Sequence, residues 1–433
     1  MSKKLTPKKS KLFQAPKGMR DILPEEQVYW QKIIQVVKNI ASAYGFEKID
    51  TPILEETALF AKGTGSTTDI VEKEMYSLKT KGGDDLSLRP EFTPGIIRAY
   101  LENGLFSWPQ PVKLYSLGPL FRHEHPQAGR YRQFHQINFE IIGEKNPVLD
   151  SEIIHLFFII FKELGLKKIN IQINSIGCPS CRPVFRKLLV DYYRNKTKLI
   201  CADCQERLKK NPLRLLDCRR EKCQEITEGA PQIIDDLCSE CRSHFKNVLE
   251  FLDELDLPYF LNSHLVRGLD YYTKTVFEFW PEETEGKAQI ALAAGGRYDD
   301  LVKLLGGRPT PAVGAAAGLE RIIALMKAQA VKTLNKPLPR LFLVQLGDLG
   351  RKKSLKLFEE LRKAGLAAAA SFSRDSIKAQ LKIADKLGVK FSLILGQKEA
   401  LDKTILIRDM SSGVQEIVPT EKVIKELKKR LKK

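Results

Sequence analysis

Residues 120–143 read LFRHEHPQAGRYRQFHQINFEIIG, and they constrain the fold more than any other stretch of the chain. Arg122 and Glu124 close a first strand candidate, and Phe134 and Glu140 flank or occupy a second one. A basic loop that contains Gly129 separates the two runs, which is the arrangement of an antiparallel hairpin. The stretch therefore predicts two neighbouring strands with charged and aromatic side chains near their ends.

Further strand candidates lie on both sides of this hairpin, with VKLYSL from residue 112, INIQI from 169 and TVFEF from 275. Most are short and alternating, and several lie too close together for crossover helices. Residues 25–44 carry apolar side chains at three- and four-residue spacing, which is typical of an amphipathic helix. We therefore predict an α+β domain with a mainly antiparallel sheet flanked by helices.

A proline-containing segment, NKPLPR at 335–340, precedes a different alternation of elements. Strands are expected at RLFLVQL, FSLIL and TILIR, and helices over 351–364, over 376–387 and from about residue 420. This order predicts a separate C-terminal α/β domain.

The 433 residues, 43% of them hydrophobic, are sufficient for roughly two to four domains. The predicted segments are a disordered basic tail (1–11), a first domain (12–330), a cysteine-rich helical insertion within it (178–258), a linker (331–339) and the C-terminal domain (340–433).

The formal net charge of +18 is concentrated at the two ends of the chain. Residues 1–20 contain no acidic side chain, and residues 337–433 hold twice as many basic as acidic ones. This distribution indicates a polyanionic partner, most often nucleic acid, although a solvated lysine-rich surface is the alternative. The longest apolar run, at 153–161, is shorter than the ~20 residues that span a bilayer. Because the N-terminus also lacks a secretory signal, we expect a cytoplasmic protein with no membrane partner.

All eight cysteines lie between residues 178 and 241, in three C-x-x-C pairs and one looser pair. Thiolates paired at short spacing in a cytoplasmic chain favour zinc over disulfides. No nearby His or Asp spacing suggests an open metal position, so any zinc would be structural. The alternative is that the cysteines are small buried residues of a helical insertion. The residues are Cys178, Cys181, Cys201, Cys204, Cys218, Cys223, Cys238 and Cys241.

The commonest nucleotide-binding and hydrolase signatures are missing from the sequence. Arginines beside strands and aromatic residues occur instead, in residues 120–143, in VGAAAGLERI at 313–322 and in SHLVRGLDYYTKTVFEFW at 263–280. A guanidinium offers a fixed fork of donors, so several of them converging on one cleft would suit a triphosphate. For a single arginine the alternative is an ion pair, and an aromatic neighbour could be a core residue as well as a platform for a base.

These stretches resemble the histidyl-tRNA synthetase family, of bacterial type, within the class II aminoacyl-tRNA synthetases. YGFEKIDTPILEE at 44–56, FRHEHPQAGRYRQFHQ at 121–136 and VGAAAGLERI are similar to the three class II signature motifs. LVRGLDYYTKTVFEF at 265–279 and AAGGRYDDLV at 293–302 resemble stretches peculiar to the histidyl enzymes. LRPEFTPGIIRAYLENG at 88–104 fits the same family.

The resemblance implies ATP-dependent activation of histidine to histidyl-adenylate, followed by transfer of the histidyl group to tRNA(His). It also implies magnesium on the phosphates of ATP, a homodimer built on the first motif, and an anticodon-binding role for residues 340–433. The insertion would contact the acceptor stem of the tRNA.

Roles for individual residues follow from the same resemblance. Arg267 and Arg122 would be catalytic, at the α-phosphate. The proposed ATP-binding residues are Arg122, Glu124, Arg130, Phe134 and Arg321, with the adenine ring between Phe134 and Arg321. Glu140 and Tyr272 would bond the two imidazole nitrogens of histidine, and Glu91, Thr93 and Gln136 would hold its amino group. The remaining histidine-binding residues are Arg267, Tyr271, Gly295, Gly296 and Tyr298, and the two glycines would allow close approach of the backbone.

Three positions depart from the usual pattern of the family, namely Phe92, Pro94 and Asp300. Two other functions remain open at this point. One is a regulatory paralogue that activates a phosphoribosyltransferase, and the other is a non-catalytic RNA-binding module that carries zinc.

Overall fold

The computed structural model describes residues 12–66, 68–125, 129–218, 220–282, 291–333 and 338–432. The tail predicted over 1–11 lies outside these ranges. The chain divides into two compact units, residues 1–334 and 335–433, which are described separately.

An eight-stranded mixed sheet forms the centre of the first unit, in the order β1-β5-β6-β11-β10-β9-β7-β8. Only β1–β5 and β7–β8 pair in parallel, so the predicted α+β fold with a mainly antiparallel sheet is confirmed. A smaller antiparallel sheet has the order β2-β4-β3. The strands are β1 Glu47–Lys48, β2 Leu54–Glu56, β3 Tyr76–Lys79, β4 Asp85–Leu88, β5 Val112–Phe121, β6 Gln133–Ile142, β7 Ile169–Ser175, β8 Tyr259–Leu261, β9 Thr273–Pro281, β10 Ala293–Arg297 and β11 Ala312–Gly318.

Helices cover the large sheet, and four of them form the insertion between β7 and β8. They are α1 Gln27–Ala43, α2 Thr57–Gly63, α3 Thr93–Glu102, α4 Val148–Leu164, α5 Arg182–Tyr193, α6 Ala202–Lys210, α7 Glu221–Thr227, α8 Ser239–Glu254, α9 Leu301–Leu304 and α10 Leu319–Ala328. The buried stripe of α1, which includes Trp30, Ile33 and Val37, joins one apolar cluster with α4, α10 and the inner face of the sheet. Among the described residues, no helix has the length and apolarity needed to cross a membrane.

The long hairpin predicted from residues 120–143 is β5 and β6, paired from Val112↔Ile142 to Phe121↔Gln133. Residues along β5 alternate between buried and partly exposed, as expected for a strand with one face in the core. The small residues of VGAAAGLERI were not among the predicted strands, but Ala312–Gly318 is strand β11, paired with β6 and β10. Small side chains are needed there, because a Cβ on Gly314 would lie 1.6 Å from Oε2 of Glu140.

The second unit contains a five-stranded sheet in the order β13-β12-β14-β15-β16, with the first three strands parallel and the last two antiparallel. The α/β class predicted for this region is confirmed. The short strands β13 and β16 were not predicted, because AAA is a weak strand signal and β16 is an exposed edge. The elements are β12 Leu341–Gln345, α11 Gly347–Lys363, β13 Ala368–Ala370, α12 Ile377–Lys386, β14 Phe391–Leu395, α13 Gln397–Leu401, β15 Thr404–Asp409, β16 Gln415–Pro419 and α14 Val423–Lys432.

Candidate active site

A cavity of about 730 Å³ opens on the face of the large sheet opposite α1 and α4. Its walls come from the β5–β6 hairpin, from β9 and β11, from the segment before β9 and from the insertion. Most of the residues proposed from sequence line it, namely Glu91, Thr93, Arg122, Glu124, Arg130, Phe134, Gln136, Arg267, Tyr271, Tyr272, Tyr298 and Arg321.

Glu140 lies on β6 directly behind this wall and has no exposed surface. Its Oε1 accepts a hydrogen bond of 2.6 Å from the Thr93 hydroxyl, and its Oε2 accepts one from the Tyr298 hydroxyl. Burial raises the pKa of Glu140 to about 7, although these two donors oppose the shift. The carboxyl group is therefore poised to change its protonation state near neutral pH, and it faces the cavity through Thr93 and Tyr298.

A second buried carboxylate, Glu91, lies just before α3. Its Oε1 accepts from the Thr64 hydroxyl at 2.5 Å, and its Oε2 accepts from the Tyr271 hydroxyl at 2.8 Å. Burial raises the pKa of Glu91 above its usual value. Helix α3 can begin at Thr93 because Pro94 occupies its first turn, where no backbone N–H is required. This start places Glu91 and Thr93 side by side at the cavity.

Three tyrosines stand together between the two carboxylates. The rings of Tyr271 and Tyr272 have centroids 4.6 Å apart, and those of Tyr271 and Tyr298 are 5.6 Å apart in an edge-to-face arrangement. Burial raises the pKa of Tyr272 to about 12, so its hydroxyl stays a neutral donor and acceptor at physiological pH. This cluster can recognise a small ring that carries polar atoms.

Arg267 approaches the same tyrosines from the segment before β9. Its Nη1 donates to Oε1 of Glu278, and its guanidinium carbon lies 5.7 Å from the centre of the Tyr272 ring. Burial acts to lower the pKa of Arg267, but the charge of Glu278 outweighs it and raises the pKa above the usual value. Arg267 is therefore a permanent cation at the cavity wall.

The β5–β6 hairpin supplies a second group of cations. Arg122 donates from Nε to the carbonyl oxygen of Pro90 at 2.9 Å, and its guanidinium lies 5.4 Å from the centre of the Phe134 ring. Nη1 of Arg130 donates to Oε2 of Glu124 at 3.1 Å. These contacts leave an aromatic face and two guanidinium groups at one end of the cavity.

Arg321 reaches this end of the cavity from the first turn of α10. It donates from Nη1 to the carbonyl oxygen of Ala291 at 2.8 Å and from Nε to that of Gly129 at 3.3 Å. The hydrogen bond to Gly129 joins the start of α10 to the tip of the hairpin, although the two residues are far apart in the sequence.

Gly295 and Gly296 lie close to neighbouring strands, and the expected close approach of histidine to their backbone stays a prediction. A Cβ on Gly295 would lie 2.4 Å from the Cβ of Ala315, and one on Gly296 would lie 2.5 Å from the carbonyl oxygen of Thr275. Both clashes are with neighbouring strands, and neither glycine is among the residues that line the cavity. Gly314, which sequence analysis did not single out, is the glycine that adjoins Glu140.

The three residues that depart from the family pattern have defined positions in the fold. Phe92 is buried at the cavity wall beneath the guanidinium of Arg89, at 4.6 Å from the ring centre. Pro94 occupies the first turn of α3, and Asp300 precedes the short helix α9 at its N-cap position. The polar groups proposed for substrate binding remain in place around them.

Sequence analysis missed Glu278 and the contribution of the insertion. The sequence did contain a signal for Glu278. It lies between Phe277 and Phe279, whose side chains are in the core, so its own side chain is on the opposite face of the strand. Arg214 and Asp217 of the insertion also line the cavity, and no local sequence pattern indicated this.

The eight cysteines form two groups of four, and each group could hold a metal ion. Within a group, all Sγ atoms lie within 4.8 Å of one another. The proximal cluster is Cys178, Cys181, Cys238 and Cys241, and the distal cluster is Cys201, Cys204, Cys218 and Cys223.

Comparisons with known proteins agree with the architecture. Residues 18–322 match the family described as Histidyl-tRNA synthetase, and residues 343–430 match the family described as Anticodon binding domain. A histidine–tRNA ligase of Dehalococcoides mccartyi (strain 195) is 45% identical over 420 residues, which are 97% of this chain and 100% of that protein. One of Desulfitobacterium hafniense (strain DCB-2) is 44% identical over 97% of this chain and 99% of its own length. The crystal structure of apo S. aureus histidyl-tRNA synthetase superimposes with a TM-score of 0.79 at 33% identity, covering 96% of this chain and 99% of that one. The predicted resemblance is confirmed, and the chain belongs to the histidyl-tRNA synthetase family.

Proposed function

We propose that this protein is a histidine–tRNA ligase. It activates histidine with ATP, forming histidyl-adenylate and releasing pyrophosphate, and then transfers the histidyl group to the 3′ end of tRNA(His). Family membership supports this proposal. The observation that carries it is that one cavity brings together a buried carboxyl–tyrosine cluster and the arginines Arg122, Arg130, Arg267 and Arg321, which come from three separate parts of the chain.

Histidine would bind at the end where Glu140, Tyr272 and Glu91 lie. An imidazole has two nitrogens at opposite edges, and a carboxyl group with a phenol can satisfy both. The raised pKa of Glu140 suits this role, because the group can accept from or donate to the ring. An apolar competitor would offer no polar atom to the carboxyl group or the phenol, so it would lose the hydrogen bonds that histidine gains, which is a basis for rejection. Glu91, Thr93 and Gln136 would hold the amino group, with Tyr271 and Tyr298 completing the pocket.

ATP would occupy the end lined by the hairpin and α10. The adenine ring would lie on Phe134 and beneath Arg321, displacing the guanidinium of Arg122 that now lies over the phenyl ring. Glu124 would accept from the amino group of adenine, and Arg130 would contact the outer phosphates. Arg122 would then be free to bind the α-phosphate and the carboxylate of histidine.

The reaction needs no enzyme nucleophile. The carboxylate oxygen of histidine attacks the α-phosphorus and pyrophosphate leaves. Arg267 would stabilise the negative charge that develops on the α-phosphate oxygens, and its contact with Glu278 keeps the guanidinium oriented before substrate arrives. Magnesium fits the donor set of the cavity, where the Glu278 carboxylate would offer oxygen atoms of the kind that it prefers. When bound, the ion neutralises charge on the phosphates.

The other parts of the chain have supporting roles in this proposal. Residues 340–433 would bind the anticodon of tRNA(His), which is supported by the match over 343–430 and by the basic composition of this region. The eight cysteines would hold structural zinc, away from the reacting atoms. A homodimer and a cytoplasmic location are proposed from family membership alone.

The test is exchange of labelled pyrophosphate into ATP, with each of the twenty amino acids supplied in turn and no tRNA present. Exchange that depends on histidine alone is the expected result. Absence of exchange with all twenty amino acids would overturn the catalytic proposal and favour a regulatory or RNA-binding role.

A further inference from the structure

The two cysteine clusters have the geometry of closed zinc sites. A tetrahedral zinc ion with Zn–S bonds of about 2.3 Å holds its sulfur atoms about 3.8 Å apart. In the proximal cluster, Sγ of Cys178 lies 3.7 Å from that of Cys181 and 4.0 Å from that of Cys238. In the distal cluster, Sγ of Cys201 lies 3.9 Å from that of Cys218. All eight cysteines are free, so these distances are not those of disulfide bonds.

Backbone amides support the sulfur atoms in both clusters. The N–H of Cys238 donates to Sγ of Cys181 at 3.2 Å, and the N–H of Cys201 donates to Sγ of Cys223 at 3.3 Å. Hydrogen bonds of this kind stabilise thiolates, which are the form that binds metal. Each cluster combines two pairs that lie well apart in the sequence, so one ion in each would crosslink the insertion at two places.

The proximal cluster joins the two ends of the insertion to the catalytic sheet. Cys181 precedes α5 and Cys238 precedes α8. The next residue, Arg182, donates from Nη2 to the carbonyl oxygen of Tyr272. We call residues 267–272 the tyrosine segment, because they include Arg267, Tyr271 and Tyr272. The residue next to Cys181 in the proximal cluster therefore contacts this segment directly.

The distal cluster is linked to the same segment through a different residue. It encloses residues 204–218, within which Asn211 donates from Nδ2 to Oδ1 of Asp270 at 2.9 Å. Arg214, also in this stretch, lies 2.5 Å from Oδ2 of Asp69 on the opposite wall. Asp217 and Cys218 themselves line the cavity. The loop between the distal cysteines is thus a wall of the active-site cavity.

We propose that the insertion binds two zinc ions, one in each cluster, and that they hold the tyrosine segment in position through contacts at two of its residues. Arg182 links the proximal ion to Tyr272, and Asn211 links the distal ion to Asp270. The two ions are thereby positioning elements for histidine activation and do not contact the reacting atoms. The positioning role rests on the proposed function, whereas the two-ion assignment does not.

The metal assignment is tested on the full-length protein by elemental analysis and X-ray absorption at the zinc edge. We expect two zinc ions per chain, each with four sulfur neighbours at about 2.3 Å. A single ion per chain, iron in place of zinc, or a metal-free folded protein would overturn the assignment. These measurements do not depend on activity, so they stand even if no amino acid supports pyrophosphate exchange.

Two matched double variants separate the sites. Cys204→Ser with Cys218→Ser should remove only the distal ion, and Cys181→Ser with Cys241→Ser should remove only the proximal one. Each variant should retain one zinc ion. Loss of both ions from a variant that remains folded, as judged by circular dichroism, would show that the cysteines do not form two independent sites.

The positioning role is tested by hydrogen–deuterium exchange of peptides that cover residues 264–275. The amide of Asp270 is hydrogen-bonded to the carbonyl oxygen of Thr64, so its exchange reports directly on this segment. Asn211→Ala leaves every cysteine in place, so the variant should keep both zinc ions. Hydrogen–deuterium exchange of the tyrosine segment should rise, and kcat/KM for histidine activation should fall about tenfold or more. Glu206→Ala, at an exposed site on the same helix-turn region, is the control. Unchanged exchange and activity in Asn211→Ala would overturn the positioning role, even if it folds and binds two ions.

Discussion

Arg267 and Glu278 form an ion pair at the wall of the cavity, with side chains only 17% and 12% exposed. Arg267 lies in the segment before β9, and Glu278 lies within β9 on the face opposite Phe277 and Phe279. The pair orients a permanent cation toward the cavity without substrate. In the proposed reaction this pre-orientation matters most in the transition state, where charge develops on the α-phosphate.

Replacing Arg267 should therefore affect rate far more than folding. Arg267→Ala is expected to lower histidine-dependent pyrophosphate exchange by about 10²–10³-fold, which is typical for loss of one transition-state donor. Arg267→Lys, which keeps the charge but loses the planar fork, should recover little. Near-normal exchange in the alanine variant, with an unchanged melting temperature, would contradict the assigned role.

Glu140 should give the protein a specific pH dependence of stability. Its folded-state pKa of about 7 exceeds the ordinary value of 4.5 because the group is buried. The native state then binds more protons than the unfolded state between these pH values, so stability falls as pH rises through this window. Glu140→Gln removes the titration and should gain stability relative to the wild-type protein as pH increases from 4.5 to about 7.

The measurement for Glu140 is the thermal unfolding of both proteins at several pH values across this range. Other carboxyl groups titrate equally in the two proteins, so the difference isolates Glu140. A difference in melting temperature that does not change with pH would show that the carboxyl group has an ordinary pKa.

Gly314→Ala should damage the histidine end of the cavity. The added methyl group would lie 1.6 Å from Oε2 of Glu140, so the strand or the carboxylate must shift. Overpacking of this kind costs about 1–3 kcal/mol of stability, and a displaced carboxylate should raise the KM for histidine more than that for ATP. Gly82→Ala is the matched control, because its Cβ would meet only side-chain atoms at 3.5 Å or more. Equal behaviour of the two variants would contradict the close packing of β11 on Glu140.

A buried charge cluster should be important for folding. Arg297 is fully buried and donates to both carboxylate oxygens of Asp150, which also lies within hydrogen-bonding distance of His244 at 3.3 Å. Burial opposes ionisation of Asp150, but the Arg297 guanidinium outweighs it and holds the pKa of Asp150 below its usual range. The cluster connects α4, β10 and α8 of the insertion.

Asp150→Asn removes the fully buried partner of Arg297 and leaves it only the carboxylate of Asp299 at 3.2 Å, so it should cost about 3 kcal/mol of unfolding free energy. Thermal or denaturant unfolding of the full chain measures this loss. Asp191→Asn, which breaks the exposed pair with Arg194, should change stability by less than about 1 kcal/mol. A small effect at Asp150 would mean that water reaches the cluster in solution.

Local sequence patterns predicted most of the secondary structure, because alternation and helical spacing depend on residues within one element. The β5–β6 hairpin, helix α1 and most of the elements of the second unit were indicated in this way. The run VGAAAG was not recognised as strand β11, since alanine and glycine carry little strand propensity. Its conformation is set by close pairing with β6 and β10, where larger side chains would clash.

The candidate site was predictable as a set of residues but not as an arrangement. Motif resemblance named Arg122, Arg267 and Glu140, yet it did not reveal that Glu140 is covered by Thr93 and Tyr298. It also did not pair the cysteines, because C-x-x-C spacing fixes only which two thiolates are neighbours in the chain. The packing of α5–α8 brings the first cysteine pair of the sequence together with the last one, and it brings the two middle pairs together.

Family and fold class follow from the amino-acid sequence, and so does the list of candidate site residues, since they depend on short motifs in which the relevant residues are close together. The protonation behaviour of Glu140, the orientation of Arg267 and the two four-thiolate clusters depend on the folded chain. Tyr298 and Glu140, for example, are 158 residues apart and become hydrogen-bond partners only when β6 and the end of β10 lie in one sheet. Burial then removes water from the carboxyl group, and this desolvation, which no local pattern encodes, raises its pKa.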